Sequence, residues 1–489
     1  LYRRLRSHPC AGARMSKERI ELDADSKALV ERMASEPTRA CLNASDTGTG
    51  KTVQAVELSR QIGAQTILVV GPVRKTDVAN WKDTFEAQGV ELPFSRVDST
   101  PAGAEAFASL KRGTPGIYHV GREYLGLSHR DGVYAWAKVK PDLAVIDEVQ
   151  FATNPKAHRT KGLFQLRNAK YRLALSATPQ GNKFVGLWSV CRFLWWYAKD
   201  DRGQPLIDTS FRRWCYIWTT PKVSYSKDKD GNVQEHVEWT NEKHPGSFVA
   251  QLPCAVAATA DFKVPVDVVE VKLDLPKEQR EVYDSLEEKS VALIGDEPLT
   301  APVALTLLLR LRQVTLGLPD IDPDTGDLSF KVGRPSVKLQ ALRRVLEQEC
   351  PDEKVLVFTS SRLFADMAAD EIKTWGIGAR AYTGTLSQTD RYSNIQAFLD
   401  DDSVRVLAAS IPSIAEGTDG LQRVCRTEVW LDEDLNGMLV EQAQGRLNRR
   451  GQKADKIKRY VFHALDTEDE GHFTQLMERS RAARKELLK

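Results

Sequence analysis

The chain has 489 residues, of which 42% are hydrophobic and 28% are charged, and its formal net charge is only +2. A chain of this length exceeds what one hydrophobic core organises, so we expect two or three domains. The composition excludes a disordered, collagen-like or membrane-embedded chain. The most apolar stretch, at residues 186–198, is too short to cross a bilayer and contains Arg192, so no membrane partner is expected. The balanced net charge leaves room for a local basic groove that binds nucleic acid.

The cysteines are scattered, with no C-x-x-C pair and no histidines at metal-ligand spacing. This pattern predicts buried free thiols in a reducing compartment rather than disulfides or zinc ligands. The seven residues are Cys10, Cys41, Cys191, Cys215, Cys254, Cys350 and Cys425.

The first 14 residues are rich in arginine and lack acids, which predicts a leader or an expression remnant ahead of a natural start at Met15. After it we expect a first lobe at 15–180, a helical insertion and connector at 181–331, and a second lobe at 332–489.

The stretch "NASDTGTGKT" at residues 43–52 joins a strand-like run to a helical pattern, which is the setting of a phosphate loop. In that interpretation Gly48, Thr49 and Gly50 turn backbone N–H groups toward phosphates. Lys51 reaches the β- and γ-phosphates, and Thr52 holds Mg²⁺ at the helix terminus. The alternative is a glycine-rich turn without a ligand, and the flanking strand and helix favour nucleotide binding.

A second signal is the acid pair Asp147 and Glu148, which ends the apolar run "LAVIDE". Acid pairs at strand ends are often only solvated loop starts. Here the pair follows the phosphate loop by about a hundred residues and precedes "SATP" at the end of another strand. This order favours Asp147 as a water-mediated ligand of Mg²⁺ and Glu148 as the group that polarises the attacking water.

Short apolar, β-branched runs alternate with helical patterns in two separate parts of the chain, an arrangement typical of parallel sheets built from βαβ units. The sequence therefore predicts an α/β fold with two lobes. The first set of runs is Thr66–Val73, Gly116–Val120, Leu143–Glu148 and Tyr171–Pro179, and the second is Lys354–Ser361, Gly378–Gly384, Val404–Ser410, Thr427–Asp434 and Ile457–Leu465.

Residues 180–331 interrupt this alternation and hold six of the ten tryptophans, together with a polar, turn-rich stretch at 224–246. We expect a helical insertion followed by a connector. Trp188, Trp195 and Trp196 recur at helical spacing, which favours burial in a core over stacking on nucleic-acid bases.

From about Leu42 onward, motifs in both lobes resemble those of the superfamily-two helicases and, within them, the Swi/Snf-type double-stranded DNA translocases. This resemblance implies two RecA-like lobes with a helical, Trp-rich insertion between them. The motifs are "GPVRKTDVANWKDTFE", "GREYL", "DEVQ" and "LALSATP" in the first lobe, and "KVLVFTSS", "AYTGTLSQTDRYSNIQAF", "SIAEGTDGLQ" and "EQAQGRLNRRGQ" in the second.

The resemblance also implies a composite site, in which Arg446 and Arg449 reach across a cleft to the γ-phosphate of ATP bound on the first lobe. Physical chemistry agrees, because guanidinium groups neutralise charge that develops on that phosphate. Further nucleotide contacts are implied for Gln442 and Gly417. The residues implied to couple hydrolysis to lobe motion are Ser176, Thr178 and Gln150.

Contacts with nucleic-acid backbone are implied for a set of cations, hydroxyls and loop residues, which can bind phosphates without reading sequence. Each is also a residue type that often satisfies only its own loop. The set is Arg74, Lys75, Thr359, Ser360, Ser361, Thr383, Thr385 and Thr418.

The sequence departs from the family at two places that bear on the site. The glutamine that contacts adenine in relatives has no counterpart in "SKALVERMA", which leaves adenine specificity open. The arginine pair usual before the lobe junction is replaced by "AVAATADFKVPVD".

These features predict an ATP- and Mg²⁺-dependent motor on duplex or branched DNA, with fork remodelling, branch migration, annealing or protein displacement as its work in replication, recombination or repair. A strand-separating DNA or RNA helicase and a non-enzymatic scaffold with a degenerate ATPase stay open as alternatives. We expect a monomer in the cytoplasm, or alternatively the nucleus, with replication or recombination proteins as partners.

Overall fold

The computed structural model describes residues 19–73, 75–130, 135–181, 183–200, 203–227, 233–258, 263–296, 301–321, 328–334, 336–415, 418 and 420–469. The leader predicted at residues 1–14 lies outside these ranges. Within them, no helix combines the length and the apolar character that a membrane span needs.

The first lobe alternates strands and helices as the sequence predicts. Its elements are α1 (Ala24–Ser35), β1 (Ala40–Asn43), α2 (Lys51–Gln61), β2 (Thr66–Gly71), α3 (Lys75–Ala87), β3 (Phe94–Val97), α4 (Pro101–Arg112), β4 (Gly116–Gly121), α5 (Arg122–Arg130), β5 (Leu143–Asp147), α6 (His158–Gln165) and β6 (Tyr171–Leu175).

The segment that follows adds α7 (Leu187–Leu194), α8 (Phe211–Trp218), β7 (Thr219–Lys227), β8 (Val233–Glu242) and β9 (Ala255–Val256). The first sheet has seven strands in the order β3-β4-β2-β5-β6-β1-β9, and all its pairs are parallel. All six residues of β2 are buried, as expected for a parallel sheet with both faces covered.

The second lobe holds another parallel sheet, of six strands in the order β10-β17-β16-β13-β15-β14. The α/β fold with two RecA-like parallel-sheet lobes is therefore confirmed. Its elements are β10 (Val266–Leu273), α9 (Lys277–Asp296), α10 (Ala301–Leu316), β11 (Asp320–Ile321), β12 (Leu328–Ser329), α11 (Val337–Arg344), β13 (Val355–Thr359), α12 (Arg362–Thr374), β14 (Gly378–Tyr382), α13 (Gln388–Asp400), β15 (Val404–Ser410), α14 (Ile411–Ile414), β16 (Thr427–Trp430), α15 (Gly437–Gln444) and β17 (Ile457–Ala464).

The insertion is less uniformly helical than predicted. Within the polar stretch at 224–246, residues 224–227 end β7 and residues 233–242 form β8, and the two strands pair antiparallel as a hairpin. The residues of 181–331 also give β9 to the first sheet and β10 to the second. The boundaries at 180 and 331 stay predictions.

The tryptophans of the insertion serve mainly as core. Trp188 and Trp195 are buried in the hydrophobic cluster beneath the first sheet, as is Trp214. Trp196 is only half-buried, and the Arg167 guanidinium lies 5.0 Å from its ring centre.

The prediction of free thiols is wrong for one pair of cysteines. Cys41 in β1 and Cys254, just before β9, form a disulfide. The two are 213 residues apart in sequence, and only the parallel pairing of β1 with β9 brings them together. Cys191, Cys215, Cys350 and Cys425 are buried free thiols, as predicted, and Cys10 lies outside the described residues.

A buried ion pair in the second lobe gives a stability prediction. The fully buried Lys338 ammonium donates to the Leu431 carbonyl oxygen at 2.6 Å and to the Asp469 carboxylate. Lys338→Met leaves that carboxylate buried without a cation, so we expect a loss of about 3–5 kcal/mol in the free energy of unfolding. Urea unfolding followed by fluorescence measures it.

The matched control is Lys373→Met, which breaks an exposed pair with Asp370. That change is expected to cost about 0–1 kcal/mol. Equal unfolding midpoints for the two variants would contradict the importance of the buried pair.

Candidate nucleotide-binding site between the two lobes

The phosphate loop predicted from "NASDTGTGKT" follows β1 and leads into α2. Gly48 and Gly50 have φ angles of 82° and 83°, which other residues adopt at a cost. Apart from its immediate chain neighbours, no residue has an atom within 4 Å of the position that a Gly50 Cβ would occupy, so backbone conformation rather than space requires glycine there. The Thr49 hydroxyl donates to the Asp46 carbonyl oxygen at 2.9 Å and stabilises the turn.

The helix that follows supplies the charge of the loop. α2 begins at Lys51, and its first N–H groups have no partners within the helix, which favours an anion at this end. Lys51 Nζ donates to the carbonyl oxygens of Ser45 and Asp46, both at 2.8 Å, so the ammonium lies over the loop. Burial lowers the pKa of Lys51, while the negative charges of Glu148 and Asp147 oppose this shift.

The acid pair lies at the carboxyl end of β5, opposite the phosphate loop. Asp147 Oδ2 accepts a hydrogen bond from Trp81 Nε1 at 3.2 Å. Burial, followed by the neighbouring Glu148 charge, raises the pKa of Asp147 to about 7. An ionised carboxylate in this position therefore favours a cation beside it.

The residues present fit Mg²⁺ held mainly through water and phosphate. Thr52 and Asp147 line one cavity and offer the oxygen donors that this ion prefers. Among the described residues, no group of three or more His, Cys, Asp or Glu side chains could hold a metal ion.

A chain of hydrogen bonds joins Glu148 to the end of β6. The Glu148 backbone is left-handed, with φ of 52°, and its carboxylate accepts from Gln150 Nε2 at 2.5 Å. Gln150 Oε1 accepts from the Ser176 hydroxyl at 2.7 Å, and Ser176 Oγ accepts from the Thr178 N–H at 2.9 Å. The three residues predicted to couple hydrolysis to lobe motion are thus in contact, and their coupling role stays a prediction.

Gln150→Ala removes both bonds that connect the Glu148 carboxylate to Ser176. We expect kcat for ATP to fall roughly 10- to 100-fold with little change in KM, because the carboxylate loses its orientation while the phosphate loop is untouched. Steady-state ATP hydrolysis measures both constants. Gln61→Ala, on the exposed end of α2, is the control, and an unchanged kcat in Gln150→Ala would contradict the orienting role.

The second lobe closes the other side of the same cavity, which has a volume of about 610 Å³. Gln442, Arg446 and Arg449 line it together with Lys51, Thr52 and the acid pair. Gln442 Nε2 lies 3.5 Å from Glu148 Oε2, so side chains of the two halves meet directly in the cavity. The sequence predicted that the phosphate loop, the acid pair and the two arginines form one site, and in the structure they line one cavity.

The two arginines are anchored differently. Arg446 donates to the Thr418 carbonyl oxygen at 2.8 Å and to the Ala415 carbonyl oxygen, whereas Arg449 donates to the Thr418 carbonyl oxygen at 3.2 Å. Both line the same cavity as the phosphate loop, and their positive charges lower the pKa of Lys51. Gly417 lies outside the described residues.

Of the eight predicted nucleic-acid contacts, Arg74 and Lys75 follow β2 of the first lobe in sequence. The other six lie at or beyond the carboxyl ends of β13, β14 and β15, three neighbouring strands. Thr383 and Thr385 both donate to the Asp366 carboxylate, at 2.7 and 2.6 Å. The Ser360 N–H and hydroxyl bind the Asp432 carboxylate. The structure brings these residues to one edge of the sheet, and their role in binding DNA stays a prediction.

The other predicted nucleic-acid contacts are either less accessible or lie outside the described residues. Thr359 and Thr418 are buried, and the Ser361 hydroxyl caps α12 by accepting the Phe364 N–H at 3.3 Å. Lys75 begins α3, but its side chain lies outside the described part of the molecule, as does Arg74.

Sequence reasoning missed three side chains that organise the site. Trp81 was noted only as a motif position, yet its indole N–H binds Asp147. Lys263 forms an ion pair with Asp46 of the phosphate loop at 3.2 Å, and Asn448 binds the backbone of Val264. Asn448 stands between the two arginines in a recognised motif, which was the available signal.

A phosphate loop and an acid pair on one parallel sheet, facing arginines from a second sheet, are the features of a two-lobed P-loop nucleoside triphosphatase. Comparison with protein families identifies the family within this class. The SNF2-related domain model matches residues 26–316, more than half of the chain, and the Helicase conserved C-terminal domain model matches residues 337–451. The chain therefore belongs to the SNF2-related family, which confirms the resemblance to Swi/Snf-type helicases.

Curated relatives cover different parts of the chain. It is 24% identical over 454 residues to the probable global transactivator of Orgyia pseudotsugata multicapsid polyhedrosis virus, covering 87% of this chain and 82% of the relative. It is 22% identical to transcription termination factor 2 of Drosophila melanogaster, covering 71% and 42%. It is 34% identical over 140 residues to DNA repair protein rad8 of Schizosaccharomyces pombe, covering 28% and 12%. The chain thus spans less than half of the last two relatives.

Among solved structures, the chain is similar to the Sulfolobus solfataricus SWI2/SNF2 ATPase core in complex with dsDNA. The TM-score is 0.41 and the sequence identity 20%, over 96% of this chain and 93% of the other.

Proposed function

We propose that the protein is a DNA-dependent ATPase that moves along duplex or branched DNA without reading its sequence. Fork remodelling, branch migration, annealing or displacement of bound protein is the work this motion would do. One observation carries the proposal: the phosphate loop and acid pair of one lobe line the same cavity as two arginines of the other. A site of this kind is complete only when the lobes are apposed, so hydrolysis is linked to their relative position.

Each side chain of the cavity has a distinct part in ATP hydrolysis. Lys51 and the loop N–H groups hold the phosphates, and Thr52 with Asp147 would hold Mg²⁺. The ion, when bound, neutralises charge on the phosphate oxygens. Glu148 orients the attacking water and accepts its proton, while Arg446 and Arg449 stabilise charge on the γ-phosphate.

The carboxyl edge of the second sheet is the proposed contact with the track. Hydroxyls and backbone N–H groups there can bind phosphates irrespective of base sequence. The family membership and the names of the relatives, among them a DNA repair protein, support DNA as that track.

Displacement of a third strand tests movement along duplex DNA. We expect ATP-dependent release of a triplex-forming oligonucleotide from a duplex, without unwinding of a simple tailed duplex. Glu148→Gln should release no oligonucleotide. Efficient unwinding of the tailed duplex would instead establish the strand-separating helicase, and a lack of ATP dependence would favour a scaffold.

A further inference from the structure

The connector between the lobes runs beside the strand that leads into the phosphate loop. β9 extends the first sheet next to β1, and β10 begins the second sheet ten residues after Val256. Residues 259–262 lie outside the described ranges. The N–H groups of Leu42, Ala44 and Asp46 donate to the carbonyl oxygens of Cys254, Val256 and Ala258 at 2.9, 2.7 and 3.0 Å.

Lys263, the first described residue of the connector after 259–262, contacts the phosphate loop. Lys263 Nζ lies 3.2 Å from Asp46 Oδ2, and the Asp46 side chain is only 7% exposed. Burial lowers the pKa of Lys263, and the negative charge of Glu441 on α15 opposes that shift. The Lys263 ammonium therefore faces a buried carboxylate of the first lobe.

The next residue of the connector is held by the second lobe. Asn448 Oδ1 accepts from the Val264 N–H at 3.0 Å, and Asn448 Nδ2 donates to the Val264 carbonyl oxygen at 3.0 Å. Both polar atoms of the amide are thus used on one backbone residue. Asn448 stands between Arg446 and Arg449, so the arginine segment is attached directly to the connector.

We propose that Lys263 and Asn448 are positioning residues that fasten the connector to the two halves of the ATP site. Consecutive residues of the connector contact opposite halves, and their Cα atoms can be only about 3.8 Å apart. The lobes can rotate about this point while the arginine segment stays close to the phosphate loop. The inference rests on the proposed ATPase. It adds that bound DNA sets the orientation of the lobes, and that the link makes the position of the arginines depend on this orientation.

Lys263→Met and Asn448→Ala each detach one side of this link. We expect each to lower the DNA-stimulated kcat roughly tenfold, because displacement of a reacting group by about 1 Å has effects of this order or larger. KM for ATP should stay unchanged, because the phosphate loop still binds the nucleotide, and the unfolding temperature should be that of the wild type. Lys263→Arg should restore stimulation.

The double variant, Lys263→Met with Asn448→Ala, shows whether the two residues form one link or contribute independently to the DNA-stimulated kcat. If the two residues form one link, detaching either side is sufficient, so the double variant should also lose roughly tenfold. Lys272→Met, at an exposed position of β10, is the control for loss of a lysine. Multiplication of the two effects to about a hundredfold would overturn the inference, as would full DNA stimulation in both single variants.

The same experiment separates this inference from the proposed function. If no nucleic acid changes the rate of ATP hydrolysis by the wild-type protein, that result alone contradicts the proposed function. The comparison of single and double variants is then made on the DNA-independent rate, where non-multiplying losses support the link. Unchanged rates, or losses accompanied by a lower unfolding temperature, overturn it.

Discussion

Glu148→Gln is expected to lower kcat for ATP hydrolysis about 100- to 10 000-fold while leaving nucleotide affinity nearly unchanged. The amide keeps the size of the side chain and its hydrogen bonding, but it cannot accept the proton of the attacking water. Asp147, Lys51 and the phosphate loop are untouched, so the phosphates should bind as before. Phosphate release and binding of a fluorescent ATP analogue give the two quantities.

The control for this substitution is Glu123→Gln, an exposed glutamate on α5. It should hydrolyse ATP at the wild-type rate. If Glu148→Gln retained hydrolysis within about threefold of the wild type, Glu148 would not be the base, and the scaffold alternative would gain support.

Arg449→Ala is expected to reduce kcat roughly 1000-fold or more, the range in which removal of a phosphate-directed arginine falls. ATP should still bind to the first lobe. Arg446→Ala should lose a comparable factor and also unfold at a lower temperature, because Arg446 binds the carbonyl oxygens of both Ala415 and Thr418. Single-turnover hydrolysis and thermal unfolding separate the two effects.

Arg423→Ala removes an exposed arginine outside the cavity and serves as the control. It should match the wild type in both measurements. Near-normal hydrolysis by Arg449→Ala would mean that the second lobe does not complete the site, and the proposed link between hydrolysis and lobe position would fail.

Most strands of both sheets could be predicted because they are short, apolar, β-branched runs that are buried on both faces. β3, β9 and β10 were not predicted, because β3 and β10 are partly exposed and β9 has only two residues. The prediction overran the observed strand at the carboxyl end in several cases, as in Thr427–Asp434, where β16 ends at Trp430. Several of the extra residues, such as Glu148, Ser176 and Ser360, are polar motif residues in the loops that follow the strands. Their attachment to the strand in sequence is what places them at the sheet edge.

The residues that line the composite cavity could be predicted from the sequence. The hydrogen bonds and ion pairs between them could not. Lys51, Glu148 and Arg449 belong to recognisable motifs, so their roles follow from chemistry and order. The bond between Lys263 and Asp46 joins residues far apart in sequence, and nothing local marks it. The Cys41–Cys254 disulfide was missed for the same reason, since a short edge strand creates the contact.

The hairpin β7–β8 shows a different limit of sequence reasoning. Its polar, glycine-containing sequence indicates turns when each residue is considered alone. Cross-strand pairs such as Val223 with Val237 stabilise it, and such pairs have no local signature.

The most direct test of the central claim is the rate of ATP hydrolysis measured in parallel with duplex DNA, forked DNA, single-stranded DNA and RNA. We predict that duplex and forked DNA stimulate the wild-type rate at least about tenfold over the DNA-free rate, that single-stranded DNA and RNA stimulate it much less, and that Glu148→Gln shows no stimulation. Equal or greater stimulation by single-stranded DNA or RNA, or no response to any nucleic acid, would contradict a motor that tracks duplex DNA.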